Sequence, residues 1–255
     1  MIDTFPVRLT PSASERTVRV HTPTAHADGE QRFPVLYMLD GHNLFADAAA
    51  TYGRAWRLAD HLGAPVPDLI VVGIDAAPGP HRIDEYTPWP IPHGPNEGHA
   101  DGVGNGGGGR AFVDWIVREL KPMIDARYRT DPAATALAGA SLGGLMAIYG
   151  AAAHPTVFRR AAAFSAAVVV NEADLTAFVD GRDLGAVERM YLDVGTHEWP
   201  DTAENDDYRA ACARVARLLG TKVRRFRFDV IDGGEHNEAA WEARLEDVLA
   251  FLYGA

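Results

Sequence analysis

Gly139-Ala140-Ser141-Leu142-Gly143 places a serine in the pattern G-x-S-x-G, between a short apolar run at 135–139 and a small-residue helical stretch at 142–153. A strand-to-helix turn this tight accepts only small neighbours, and it presents the serine hydroxyl at the end of a sheet. The chain has only four serines, and its glycine and serine frequencies give about 0.04 chance matches to the pattern. A serine hydroxyl is a weak nucleophile at neutral pH, so the chemistry needs a histidine base and a carboxylate that orients it. On strand–turn–helix scaffolds the order along the chain is serine, then acid, then histidine. Two histidines lie beyond the helix and its His154, namely His197 and His236. His236 is preferred, because Asp232-Gly233-Gly234-Glu235 can return it over the edge of a strand ending at Ile231. His197 would leave no acid before it. Glu198, in the loop after the run 190–194, is the expected acid, with Asp201 in reserve; Asp193 lies within the strand. The oxyanion of a tetrahedral intermediate needs two backbone donors. Leu142 supplies one, and His42, after the run 35–39, is expected to supply the other.

The elements that must hold these residues follow from the hydrophobic pattern. Residues 17–21 alternate as a strand, and 35–39 and 69–74 are continuous apolar runs, as in strands buried on both faces. Residues 52–62 have helical composition and complete a strand–helix–strand crossover. A helical stripe runs from Phe112 to Ile124 and is expected to bend or end near Pro122. Further strands are expected at 135–139, 161–164, 190–194 and 226–231, with helices at 142–153, 204–219 and 238–252. This alternation implies an α/β fold, a largely parallel sheet with helices on both faces, in one domain spanning 1–255. The Pro-, Gly- and His-rich stretch 76–109 is too irregular for core and is a candidate pocket wall. Its glycine run does not follow a strand directly and lacks the Lys-Ser/Thr ending of a phosphate-binding loop.

Composition narrows the function classes. With 35 acidic against 24 basic residues the net charge is −11, and the basic residues form no stripe, which argues against nucleic acid and membrane surfaces as partners. One cysteine, Cys212, allows no internal disulfide. Residues 1–6 lack the basic start and continuous apolar stretch of a secretory signal, so a cytoplasmic location is expected. The uncharged stretch 133–153 is long enough for a bilayer but consists mostly of Ala and Gly, fitting a buried strand, turn and helix better. No metal-ligand spacing occurs; His81, His93 and His99 share one loop and are expected on its surface, so neither metal nor cofactor is expected. The aromatics Trp56, Tyr86, Trp89 and Trp199 would suit a sugar or aryl ester.

Several segments resemble the esterase D and enterochelin-esterase group of the α/β hydrolases, whose relatives include feruloyl and acetyl-xylan esterases. They are Tyr37-Met38-Leu39-Asp40-Gly41-His42-Asn43-Leu44-Phe45, Arg82-Ile83-Asp84-Glu85-Tyr86-Thr87-Pro88, Glu119-Leu120-Lys121-Pro122, Asp193-Val194-Gly195-Thr196-His197-Glu198 and Gly233-Gly234-Glu235-His236-Asn237-Glu238, besides the serine motif. The likeness covers about residues 33–253. It implies Ser141 as nucleophile, Glu198 as acid, His236 as base, and the amides of His42 and Leu142 as the oxyanion hole. It also places Arg82, Tyr86 and Trp89 near the mouth of the site. The expected reaction is hydrolysis of a small acyl, aryl or sugar ester through an acyl-enzyme. The alternatives are acyl transfer on the same scaffold, a siderophore-type esterase, or a non-catalytic binding protein. Two departures weaken transfer of any one substrate: Asp40-Gly41 stands where relatives often have His-Gly, and Ala140 where many esterases carry His.

Overall fold

The apolar runs become neighbouring strands of one sheet in the computed structural model, which describes residues 1–27, 29–91 and 103–254. Its strands are β1 (Ile2–Leu9), β2 (Ser14–His21), β3 (Phe33–Leu39), β4 (Ile70–Ile74), β5 (Thr130–Ala140), β6 (Arg160–Phe164), β7 (Arg189–His197) and β8 (Arg225–Glu235). Their order across the sheet is β1-β2-β4-β3-β5-β6-β7-β8. From β4 to β8 every pairing is parallel, while β1 and β2 add an antiparallel edge.

Alternate side chains along β3 enter two separate cores, which is why its sequence is apolar throughout. Val35, Tyr37 and Leu39 face a layer that includes α2 (Gly109–Trp115), α3 (Lys121–Arg127), α4 (Leu142–Ala153), α5 (Glu172–Asp180) and α6 (Thr202–Leu219). Leu36 and Met38 face the opposite layer, formed by α7 (Glu238–Tyr253) and the chain around Trp56, Leu58 and Leu69. The fold is thus that of an α/β hydrolase. Among the described residues no helix is long and apolar enough to cross a membrane; the uncharged stretch 133–153 is instead β5, the serine turn and the buried α4.

One expectation needs correction and two gain detail. Residues 52–62 form no α-helix: Leu58–His61 is a short 3-10 turn entered through Arg57 at φ 49°, and Asn43 and Leu44 carbonyls take the amides of Trp56 and Leu58. That chain packs as a loop because hydrogen bonds to the β3 end compete with a helix. At Pro122 the helix neither ends nor breaks. A π-turn at Ile116–Leu120 precedes it, with the Lys121 amide reaching back to Ile116, and α3 continues with the proline as its second residue. The stretch 76–109 contains a short helix, α1 (His81–Glu85), and its residues 92–102, including His93 and His99, lie outside the described residues.

Candidate functional site

Ser141 sits between the end of β5 and the start of α4 at φ 57° and ψ −124°, a conformation costing about 1–3 kcal/mol for a residue with a side chain. The turn holds because its neighbours approach closely: a Cβ on Gly139 would lie 2.7 Å from the Gly143 carbonyl carbon. The Ser141 amide donates to Phe164 and its carbonyl accepts from Ala167, tying both flanks of the turn to the end of β6. Leu142 is the first residue of α4, so its amide has no partner inside the helix. Across the β3 end, Asp40 at φ 58° reverses the chain into a 3-10 turn, Gly41–Asn43, whose early amides are likewise without helical partners.

The other half of the site comes from β7 and β8. Their parallel register shifts between Gly195 and His197, where any Cβ on Gly195 would clash with the Gly234 carbonyl. The bulge turns Glu198 back beneath the β8 end. Glu198 is 4% exposed; its Oε1 accepts from the Gly195 amide at 2.5 Å, and its Oε2 lies 2.7 Å from His236 Nδ1. Burial raises the Glu198 pKa, but hydrogen bonds from His236, the Gly195 amide and Ser165 outweigh it, holding the carboxyl below its ordinary value. Glu198 therefore stays ionised, and its bond to Nδ1 fixes a proton there and leaves Nε2 free to accept one. Asp201 is not part of this group: it caps α6, accepting from the amides of Ala203 at 2.7 Å and Glu204 at 3.3 Å.

Aromatic rings fix the imidazole plane. Trp199 stacks on His236 with centroids 4.3 Å apart, and Trp241 meets it edge-on at 5.1 Å. Ser141 and His236 line one cavity of about 340 Å³. Among the described hydrogen bonds none joins them; the Tyr208 hydroxyl donates to the Ser165 carbonyl at 2.7 Å.

Beneath the acid lies a buried polar network that sequence reading missed. Ser165 Oγ accepts from Trp241 Nε1 at 2.9 Å and from Arg244 Nη2 at 3.2 Å. A hydroxyl has two acceptor positions and one proton, so with both positions filled the proton is left for Glu198. Arg244 also binds Asp193 through Nε at 2.5 Å and Nη2 at 3.1 Å, and Asp193 takes the Ser165 amide and the Tyr191 hydroxyl as well. The available signal was Asp193, a charge within an otherwise apolar strand, which implies a buried partner.

The residues expected to touch substrate divide. Arg82, held by Asp40 through bonds of 2.7 and 2.8 Å, lines the 340 Å³ cavity, as do Trp199 and one edge of Trp56. Trp56 is otherwise core, stacked on Trp241 and edge-on to Phe164. Tyr86 is fully buried rather than at the mouth, because its hydroxyl accepts from the Asp40 amide and its ring packs on Phe112. Trp89 packs between Tyr149 and Phe178, away from the described lining of that cavity. Among the described residues no group of three or more His, Cys, Asp or Glu side chains is placed to hold a metal ion.

This architecture and turn are those of an α/β hydrolase. Residues 12–252 match the model of the "Putative esterase" family, and the chain belongs to that family. It is 25% identical over 189 residues to the uncharacterized protein YbbA of Bacillus subtilis, covering 73% of this chain and 70% of that one. An IroE-like serine hydrolase from Shewanella oneidensis superposes with a TM-score of 0.79 at 21% identity, over 99% of this chain and 80% of that one. The siderophore hydrolase EstA from Aspergillus nidulans gives 0.75 at 18% identity, over 99% and 94%. Both structures share the fold.

Proposed function

We propose that this protein is a serine ester hydrolase working through an acyl-enzyme. The observation that carries the reading is Glu198 Oε2 at 2.7 Å from His236 Nδ1, in a cavity wall shared with a serine on a strained turn. Rotation about the Ser141 Cα–Cβ bond brings the hydroxyl to the free Nε2 of His236, a step between staggered rotamers. Oγ then attacks the ester carbonyl as its proton passes to His236, and the amides of Leu142 and His42 hold the oxyanion. Collapse breaks the ester C–O bond, with His236 returning the proton to the departing alkoxide. Water, deprotonated by His236, attacks the acyl-serine carbonyl; collapse breaks its C–Oγ bond, His236 returns the proton to Oγ, and the acid is released. Glu198 remains a carboxylate throughout and stabilises the imidazolium.

The test is fluorophosphonate labelling and p-nitrophenyl acetate turnover by wild type and Ser141→Ala. Wild type is expected to take one label, and the variant none, with kcat reduced about 10⁴-fold or more. Equal labelling and turnover in the two proteins would overturn the assignment.

A further inference from the structure

Two cavities meet at Ser141, and their walls differ in kind. The 340 Å³ cavity carries His236, Glu238 and the Asp40–Arg82 pair. The second, of about 530 Å³, is lined chiefly by Ile83, Leu142, Val169 and Val170, with the exposed carboxylates of Glu204 and Asp207 also on its wall. Ser141 lines both, and of the two only the first has His236 in its described lining; a further cavity of about 720 Å³, also lined by His236, does not have Ser141 in its described lining.

This asymmetry orients an ester. The imidazole must reach the departing oxygen to return its proton, so the alcohol portion occupies the cavity that His236 lines. The acyl portion extends the other way, past Leu142, into the apolar cavity. Val169 is 46% exposed and Trp199 37%, and both stand on that wall as apolar surface that an acyl chain would cover. Glu204 and Asp207 add negative charge to that wall and would repel an acyl group ending in a carboxylate. On the alcohol side the Arg82 charge is already matched by Asp40, and Glu238, which accepts from Asn43 at 3.1 Å, adds another carboxyl. Among the described residues that cavity offers no unmatched Lys or Arg for an anionic alcohol.

We infer that the substrate is an ester of an apolar, uncharged acyl group with a polar, non-anionic alcohol, and that Ile83, Leu142, Val169 and Val170 form the acyl site. This rests on the serine hydrolase reading, and the experiment separates the two. Wild type, Val169→Asp and the double variant Glu204→Lys/Asp207→Lys are labelled with fluorophosphonate, then assayed on p-nitrophenyl acetate, hexanoate and monoadipate. Each buried methylene is worth about fourfold, so hexanoate, with four more than acetate, should exceed it in kcat/KM by about 15-fold if two of them are buried and about 250-fold if all are. Monoadipate, equal in length but ending in a carboxylate, should fall at least about tenfold below hexanoate. Val169→Asp should lower the hexanoate-to-acetate ratio, and the double variant should raise the monoadipate-to-hexanoate ratio, each about threefold or more. An enzyme that labels at Ser141 yet favours acetate or monoadipate, or whose ratios do not move in the variants, overturns the acyl-site assignment alone. Failure of wild type to label overturns the underlying hydrolase reading.

Discussion

Replacing Arg244 by leucine removes the only cation on Asp193 among the described ion pairs. The Asp193 side chain is 0% exposed and that of Arg244 10%, so the pair is out of water. In the variant Asp193 keeps two donors, the Ser165 amide at 2.6 Å and the Tyr191 hydroxyl at 2.8 Å, but its charge is uncompensated. Breaking a buried pair from one side costs about 3–5 kcal/mol. For a chain of this size each kcal/mol lowers Tm by about 2–4 °C, so a fall of about 6–20 °C is expected in a calorimetric or circular-dichroism melt. The pH dependence identifies the cause. Burial already raises the Asp193 pKa, with Arg244 as the first opposing influence, and losing Arg244 raises it further. A carboxyl whose folded pKa exceeds its unfolded value of about 3.9 binds its proton more tightly when folded, so stability falls as pH rises between the two values. The deficit of Arg244→Leu should therefore be smaller at pH 5 than at pH 8, and adding Asp193→Asn should recover part of it at pH 8. A deficit below about 2 °C, or one independent of pH, would refute the reasoning.

Ser165→Ala deletes one hydrogen bond to the Glu198 carboxylate and leaves Trp241 Nε1 without its acceptor; kcat/KM should fall roughly tenfold or more, as expected for a bond to a charged group, while fluorophosphonate still labels Ser141. Glu198→Gln removes the charge that orients His236, and kcat should fall about 10³- to 10⁴-fold. The same substitution tests linkage. The Glu198 pKa is held below its ordinary value, so its contribution is present above the unfolded pKa of about 4.3 and is lost as pH falls through the folded one. Below about pH 4.5 the wild-type Tm should drop more steeply than that of the variant.

Much of the parallel sheet was legible because its strands are buried on both faces and so read as unbroken apolar runs. β1 escaped notice because it pairs only with β2 at the sheet edge, where Pro6 is tolerated and most side chains alternate with solvent. The stretch 52–62 misled for the opposite reason, since its composition favours a helix while tertiary hydrogen bonds to the β3 end draw it into a loop. At the site, the glycine spacing announced Ser141 and chain order pointed to Glu198 and His236. The support beneath them left little trace: Ser165 lies just after β6 and Trp241 and Arg244 in α7, some 76 to 79 positions away, and no local pattern joins them. Tyr86 and Trp89 illustrate that an aromatic in a loop near a site is as readily a prop for its walls as a surface for substrate.

The order of the strands gives the site a history within each molecule. The Ser141 turn needs only β5, β6 and α4, whereas His236 sits just past β8, the last of the described strands and the outer edge of the sheet. A nascent chain halted before Arg225 would carry the serine turn without its base, and a buried aspartate without its guanidinium. On the proposed mechanism the base His236 and the Arg244 guanidinium over Asp193 both follow β8, so a molecule cut before Arg225 lacks both and is expected to be silent and unstable. Such a molecule would expose itself to proteolysis before it could turn over an ester.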